Sequence, residues 1–321
     1  MHLIDVQKTF KSDDECVEHL AKLRWPDGVR CVTCGTDKVK QYASPTEKQP
    51  GRKIYQCQEP TCSQQFTATA GTIFHDTHLP LTKWFMALSL IVDAKKGVSA
   101  KQIQRHLQIG YKTAWYLAHR IRKAMEETGS PLLTGTVEID ETYIGGKTIR
   151  KTNRGLQRYK QKDAVVGMIE RGGQLRFRHI GKGSATAKKV APLVRELVDR
   201  NVERVVTDES TIYPFAFDGF CASKHETVAH KYEYVKLGTD IHTNTIESAF
   251  SLLKRGILGS FHQVSIKHLP RYLSEFEYRF NRRERKGEPK QDMFTETLRR
   301  MAKAKPMPFA SLIAAETPEP F

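Results

Sequence analysis

Three carboxylates and four thiols are spaced in this chain as if to do chemistry together. The first carboxylate, Asp140, lies in Thr136-Val137-Glu138-Ile139-Asp140-Glu141-Thr142-Tyr143-Ile144-Gly145-Gly146. This stretch alternates apolar and polar residues, then ends on two glycines, and reads as a strand entering a turn. Neighbouring strand residues point to opposite faces, so Asp140 and Glu141 cannot share one task. With Val137 and Ile139 on the core face, Asp140 points out into a site, and Glu141 faces inward or sits where the alternation stops. Asp208 closes a second candidate strand, Glu203-Arg204-Val205-Val206-Thr207-Asp208, at the usual place for site residues in α/β sheets. Glu247 belongs to an amphipathic helix from His242 to Gly256, with Ile246, Ala249, Phe250, Leu253 and Ile257 on the apolar stripe. Asn244, Glu247, Ser251 and Lys254 fall on the other side. Taken singly, each acid reads as a solvated side chain. Together they suit hard divalent cations, which take oxygen ligands. Two Mg²⁺ ions about 3.5–4 Å apart (or Mn²⁺ in their place) activate a water or 3′-hydroxyl and stabilise the leaving oxygen of a phosphodiester. In that arrangement Asp140 bridges the ions, Asp208 and Glu247 each hold one, Asn244 assists as ligand or donor, and Lys254 meets a phosphate.

The thiols come in two close pairs, Cys31-Val32-Thr33-Cys34-Gly35 and Cys57-Gln58-Glu59-Pro60-Thr61-Cys62, with 22 residues between Cys34 and Cys57. Two pairs on tight turns supply the four tetrahedral ligands of one structural Zn²⁺ and leave no open coordination position. The opening Met1-His2-Leu3-Ile4-Asp5 does not read as a secretory signal, so a metal site is preferred to disulfides. Lys53-Ile54-Tyr55-Gln56 before the second pair suggests strands, and the whole reads as a zinc ribbon. Cys16 lies on the apolar stripe of a short helix over 12–25, where Ser12 and Glu15 form a capping box, and reads as a buried thiol.

Between the two chemistries the chain is helical. A helix starts at Pro80-Leu81-Thr82 and ends at Lys95-Lys96-Gly97. Ser99 and Gln102 box a second over Ala100–Leu107. Gly110 breaks the chain, and Thr113 caps a third with Ala114, Leu117, Ala118, Ile121 and Met125 inward. Three helices with a short Gly-containing turn follow the helix-turn-helix pattern. Lys112, Arg120 and Lys123 would reach phosphates, joined by His119 or Arg122. Gly129-Ser130-Pro131 marks a boundary. After the Asp140 strand, residues 147–162 carry seven basic side chains, beginning at Lys147, and no acid. A strand over Asp163–Glu170, a turn at Arg171-Gly172-Gly173-Gln174, a strand over Leu175–Ile180, a helix over Thr186–Arg200 and the Asp208 strand give an α/β domain with a mixed sheet. Beyond it, Tyr213–Phe217 reads as the start of a helix and Thr227–Val235 as a short strand. A helix over His268–Asn281 ends in Asn281-Arg282-Arg283-Glu284-Arg285-Lys286, a phosphate-facing patch or solvated cap, and the last twenty residues read as loosely ordered. The division is 1–27 N-terminal helix, 28–78 ribbon, 79–129 helix-turn-helix, 130–286 catalytic domain and 287–321 tail.

Charge supports a polyanionic partner. The chain's 321 residues carry 52 Lys and Arg against 36 Asp and Glu, a net charge of +16, which favours nucleic acid. No apolar run reaches transmembrane length.

Cys31-Val-Thr-Cys34-Gly, Gly71-Thr-Ile-Phe, Val137-Glu-Ile-Asp140-Glu-Thr-Tyr-Ile-Gly-Gly-Lys147 and His242-Thr-Asn244-Thr-Ile-Glu247 with Lys254-Arg255-Gly256 resemble the bacterial insertion-sequence transposases of the 1595 type, a group related to the Merlin transposons. The resemblance spans roughly residues 12–285. It implies a ribonuclease H-like DDE catalytic domain behind a zinc ribbon and a helix-turn-helix. It also implies double-stranded DNA as substrate (transposon ends and target), a homodimer or larger synaptic assembly, and a cytoplasmic, nucleoid-associated place of action. The family's first two aspartates fall on Asp140 and Asp208. Members differ over Asn or Glu at the third position, which leaves Glu247 with Asn244 in support; Lys254 and Arg255 match its basic residues. The other reading is a DNA-binding protein derived from such an enzyme that no longer cuts.

Overall fold

The structure, a computed structural model, describes residues 1–43, 53–127, 129–145, 162–228, 239–284, 287, 289 and 291–314. The chain forms two compact units, one of Met1–Met125 with the described residues from Glu284 onward, the other of Glu126–Arg283.

The first unit opens with helices α1 (Leu3–Thr9) and α2 (Asp13–Arg24). Ser12 and Glu15 make the expected box: the Ser12 hydroxyl accepts the Glu15 N–H, and the Glu15 carboxylate accepts that of Ser12. A three-stranded antiparallel sheet follows, β1 (Val39–Ala43), β2 (Lys53–Cys57) and β3 (Gln65–Phe66), in that order. Trp25, Tyr55 and Phe66 pack edge-on and stacked beneath it. Helices α3 (Leu81–Asp93), α4 (Ala100–Leu107) and α5 (Tyr111–Ala124) come next. Ser99 and Gln102 box α4 as read from the sequence. The start of α5 departs from the reading by three residues. Gln108 takes the left-handed conformation, with φ 51°, and α5 starts at Tyr111 with Gly110 as its N-cap, so Thr113 lies inside the helix.

The second unit is built on a five-stranded mixed sheet. Its strands are β4 (Thr136–Ile144), β5 (Asp163–Glu170), β6 (Leu175–Lys182), β7 (Arg204–Asp208) and β8 (His225–Val228), interleaved with helices α6 (Ala187–Leu197), α7 (Ile212–Phe217), α8 (Asn244–Gly256) and α9 (Leu269–Asn281). The order is β6-β5-β4-β7-β8, with β4 antiparallel to β5 and parallel to β7. Helix α6 ends at Leu197, three residues before the expected end. The backbone of Leu197 and Asp199 bonds to Leu133 instead, which pulls Val198 into an extended bridge. Strand β8 lies at His225–Val228, and the remainder of the strand expected over Thr227–Val235 falls outside the described residues.

Both faces of β4 are covered. Val137 and Ile139 pack with Val190, Val194, Tyr213 and Phe217 of α6 and α7. The alternate residues face α8 and α9, whose Ile246, Phe250, Leu273 and Phe276 share a core with Ile144, Val165 and Phe177. Asp140 therefore points into the space under α8, not into open solvent. The edge strand β6 is sealed by α9 side chains: Asn281 accepts the Leu175 N–H at 2.7 Å and donates to its carbonyl at 3.0 Å, while Glu277 accepts the Phe177 N–H at 2.9 Å. Asn281 is thus a sheet partner, and Arg282 pairs with Glu127, which replaces the phosphate-facing patch read at Asn281–Lys286 for these two residues.

Helix α10 (Met293–Lys303) and the short α11 (Phe309–Ile313) belong to the first unit. Phe294, Leu298 and Met301 of α10 are buried, with Phe294 against Phe10 and Phe85. The segment 287–321, set apart as a tail, thus contributes α10 to a core, because those apolar residues recur at helical spacing. Within the last twenty residues, read as loosely ordered, Met307 and Leu312 are buried as well.

Gly167, opposite Asp140 on β5, lies directly against side chains of α8. A Cβ there would lie 2.7 Å from both Ile246 Cδ1 and Phe250 Cζ. Gly167→Ala is expected to lower the unfolding free energy by about 1–3 kcal/mol through overpacking, which urea denaturation measures.

Candidate active site and metal centre

Strand register brings the two aspartates together. Glu138 pairs with Val206 in the parallel β4–β7 ladder, so two residues further along each strand Asp140 comes level with Asp208, on the α8 face. Strand β7 ends at Asp208, whose carboxylate turns back to accept the Ser210 N–H at 3.0 Å. Glu247 stands in the first turns of α8 and accepts a hydrogen bond from the Thr243 hydroxyl at 3.3 Å.

The electrostatics register this convergence. Asp140 is pushed up to about 7: burial contributes most, then the neighbouring Glu141 charge, with Asp208 and Glu247 adding to it, against the lowering effect of the Glu141 N–H. That N–H lies 2.7 Å from Asp140 Oδ1. A carboxylate crowded by like charges, with so little donor support, is what a bound cation relieves, so the oxygen donors present fit divalent metal. Glu141 does face the other way, as the alternation required. It accepts a hydrogen bond from the Tyr213 hydroxyl of α7, and burial raises it above the usual carboxylate range.

Asn244 is exposed at the first position of α8, its N–H 3.4 Å from His242 Nδ1. Lys254 and Arg255 are exposed two turns after Glu247. Lys147 lies outside the described residues. Lys112 is exposed, with its ammonium 4.4 Å from the centre of the Phe309 ring, and Lys123 is also exposed. Arg120 is not available to a phosphate. It is buried, donates to the carbonyls of Ile73 and His75, and lies over the Trp84 and Tyr116 rings. The same stripe of α5 that buries Ala114 and Ile121 carries it inward, and His119 and Arg122 are buried with it.

Sequence reasoning missed Glu138 and Arg171. Glu138 is fully buried and meets the N-terminus of α8: its Oε2 accepts the N–H groups of Thr245 and Ile246 at 2.8 and 3.0 Å. Arg171, read as a turn residue, donates to Glu138 at 2.7 Å and to the His242 carbonyl at 2.8 Å. The available signal was the alternation itself, which put Glu138 on the Asp140 face.

The second centre is the thiol cluster. Cys31 and Cys62 lie 3.7 Å apart, Cys34 and Cys57 3.6 Å, and all four Sγ atoms lie within 4.8 Å of one another. Tetrahedral Zn–S bonds of about 2.3 Å require S···S edges of about 3.8 Å, so the four thiols fit zinc. Two turns make the geometry: Gly35, at φ 76°, returns its N–H to the Cys31 carbonyl, and the N–H groups of Cys62 and Ser63 both reach the Glu59 carbonyl. Among the described residues no other group of three or more Cys, His, Asp or Glu is this tight, so the acids stand further apart than the thiols.

A zinc ribbon in one unit and, in the other, a mixed α/β sheet with two aspartates level on adjacent strands define the class: a zinc-ribbon protein with an α/β domain. Residues 132–281 match the ISXO2-like transposase domain and residues 11–65 the transposase zinc-ribbon domain. The chain is 30% identical over 291 residues, 85% of its own length and 92% of the relative's, to an uncharacterized protein in transposable element ISH50 of Halobacterium salinarum. The chain belongs to the insertion-sequence transposases of the 1595 type. Among the described residues no helix is long and apolar enough to cross a membrane.

Two outcomes follow. Chelating zinc, or Cys57→Ser, is expected to open the ribbon and shift Trp25 fluorescence to the red, with one zinc released per chain. Asp140→Asn is expected to raise the melting temperature of the protein without divalent ions at pH 8. Folded Asp140 titrates near 7 and unfolded aspartate near ~3.9. Its ionisation therefore weakens the fold increasingly as pH rises from the lower value to the higher, and the gain from Asn should fade in melts run toward pH 4.

Proposed function

We propose that this protein is a DDE transposase that binds the terminal repeats of its insertion sequence, cleaves the ends and joins the freed 3′-hydroxyls to target DNA. The observation that carries the reading is the strand register that brings Asp140 level with Asp208 beneath the helix bearing Glu247. The sheet order, three antiparallel strands followed by two parallel ones, supports a ribonuclease H-like domain. Two Mg²⁺ or Mn²⁺ ions, when bound, supply an activated oxygen nucleophile and charge neutralisation at the leaving oxygen.

The chain's own residues hold and orient. Asp140, from the centre of the sheet, would hold both ions, and Asp208 and Glu247 would each hold one. Asn244, one turn before Glu247, assists at the third position. Lys254 and Arg255, exposed on the same helix, hold a DNA phosphate beside the acids. In the first unit, α4 and α5 act as a helix-turn-helix, with Lys112 and Lys123 on phosphates. The ribbon's zinc is structural. The protein acts as a homodimer or larger synaptic complex on nucleoid DNA in the cytoplasm, since two ends must be cut and joined together.

The test is cleavage and joining of labelled DNA bearing the element's ends, with Mg²⁺ or Mn²⁺, for wild type, Asp140→Asn, Glu247→Gln and Asn244→Ala. Wild type should cut and join, and Asp140→Asn and Glu247→Gln should lose at least about a hundredfold in rate while still binding the ends. An inactive Asn244→Ala beside an active Glu247→Gln would move the third position one turn earlier. Tight binding of the ends by wild type without cutting in either metal would refute catalysis in favour of a DNA-binding protein.

A further inference from the structure

Helix α8 does not cap itself. Its N-cap residue, Thr243, makes no side-chain bond to the helix's first N–H groups; its hydroxyl goes to Glu247 instead. The orphan N–H groups of Thr245 and Ile246 are taken by Glu138 Oε2, and the Thr245 hydroxyl donates to Glu138 Oε1 at 2.8 Å. Glu138 reaches them from the middle of β4, 107 residues earlier in the chain. A carboxylate at a helix N-terminus also meets the favourable end of the helix dipole.

The other side of Glu138 is equally occupied. Arg171 Nε donates to Oε1 at 2.7 Å, and His242 Nδ1 lies 3.3 Å from the same oxygen. Arg171 extends to the carbonyls of Asp240 and His242, the approach to α8, at 2.8 Å each. Arg204 of β7 also bonds to the Asp240 carboxylate, at 2.8 Å to Oδ1. One network thus ties β4, β7 and the start of α8 together. These are the three elements that carry Asp140, Asp208 and Glu247.

We infer that Glu138 is a positioning residue of this site: it seats the first turn of α8 on β4, two residues from Asp140, and so sets the distance between Glu247 and the aspartates. This rests on the transposase reading above for the reaction, but not for the metal binding it controls. Gly167 acts in the same sense one turn further on, since only a residue without Cβ lets Ile246 and Phe250 approach β5. Fully buried, Glu138 touches neither DNA nor the ions. Its effect runs through Glu247.

The experiment uses zinc-loaded full-length protein and compares wild type with Glu138→Gln. Gln keeps the size and one acceptor but replaces the other with a donor facing donors. Mn²⁺ affinity is read by electron paramagnetic resonance, alongside the single-turnover rate of end cleavage, the affinity for end DNA and the cooperativity of unfolding. Both Mn²⁺ affinity and cleavage rate are expected to fall roughly 10–100-fold, as for partners that orient metal ligands, with DNA affinity unchanged and unfolding still cooperative. A merely structural role would lower the folded fraction without weakening Mn²⁺ binding by what remains folded. Unchanged Mn²⁺ affinity and rate in a folded Glu138→Gln, beside an active wild type, overturn the positioning role alone. A wild type that binds Mn²⁺ but does not cut, with weakened Mn²⁺ binding in Glu138→Gln, keeps the positioning role and rejects the transposase reading. A wild type that neither binds Mn²⁺ nor cuts rejects both. If Glu138→Gln does not fold, Thr245→Val removes only the hydroxyl contact. A smaller loss in the same two quantities supports the role, and no loss overturns it.

Discussion

Burying a carboxylate is unfavourable unless donors or cations compensate it, and the middle of β4 puts three carboxylates within four residues. Because helices cover both faces of the strand, Glu138 is fully buried and Asp140 and Glu141 are partly so, and each has a different answer. Glu138 has the N-terminus of α8, Arg171 and His242. Glu141, on the opposite face, has the Tyr213 hydroxyl. Asp140 has one backbone N–H and is raised to about 7, by burial first and then by surrounding negative charge. The group left with least support lies where the proposed reaction needs a cation.

That distribution explains why a helix so far along the chain can carry a site residue. Amphipathic packing fixes which face of α8 meets the sheet, through Ile246, Phe250 and Leu253. It does not fix how far the helix slides along its axis. Hydrogen bonds to the Thr245 and Ile246 N–H groups do, because they are directional and tied to one strand position. The close approach at Gly167 adds a steric stop.

Basic residues divide similarly between two kinds of work. Arg120 looked from its spacing like a phosphate contact, yet it grips the backbone at Ile73 and His75 and stacks on Trp84. Gly71-Thr-Ile-Phe is held by that arginine, and Phe74 packs at 4.9 Å from Trp84. Its role in this unit is packing. A guanidinium is at home in such a place, with its plane on aromatic faces and its N–H groups on carbonyls.

Sequence alone determined what local rules govern. Four cysteines in two turn-forming pairs specify a zinc ribbon wherever they fold, and Ser12 with Glu15 and Ser99 with Gln102 start their helices by bonds within four residues. Period-two alternation put Glu138 and Asp140 on one face of β4 and Glu141 on the other. The apolar stripe of α8 was likewise legible, because each depends on neighbours a few residues away. Tertiary structure decided what depends on distant partners: that both faces of β4 are covered, that Asp140 comes level with Asp208, that Glu138 caps α8, that Asn281 seals β6 and that Arg120 lies inside. A charged side chain reads the same in sequence whether it meets solvent, a helix end or an aromatic ring. Only the chain's return to it, 45 residues away for Arg120 and 107 for Glu138, distinguishes these fates.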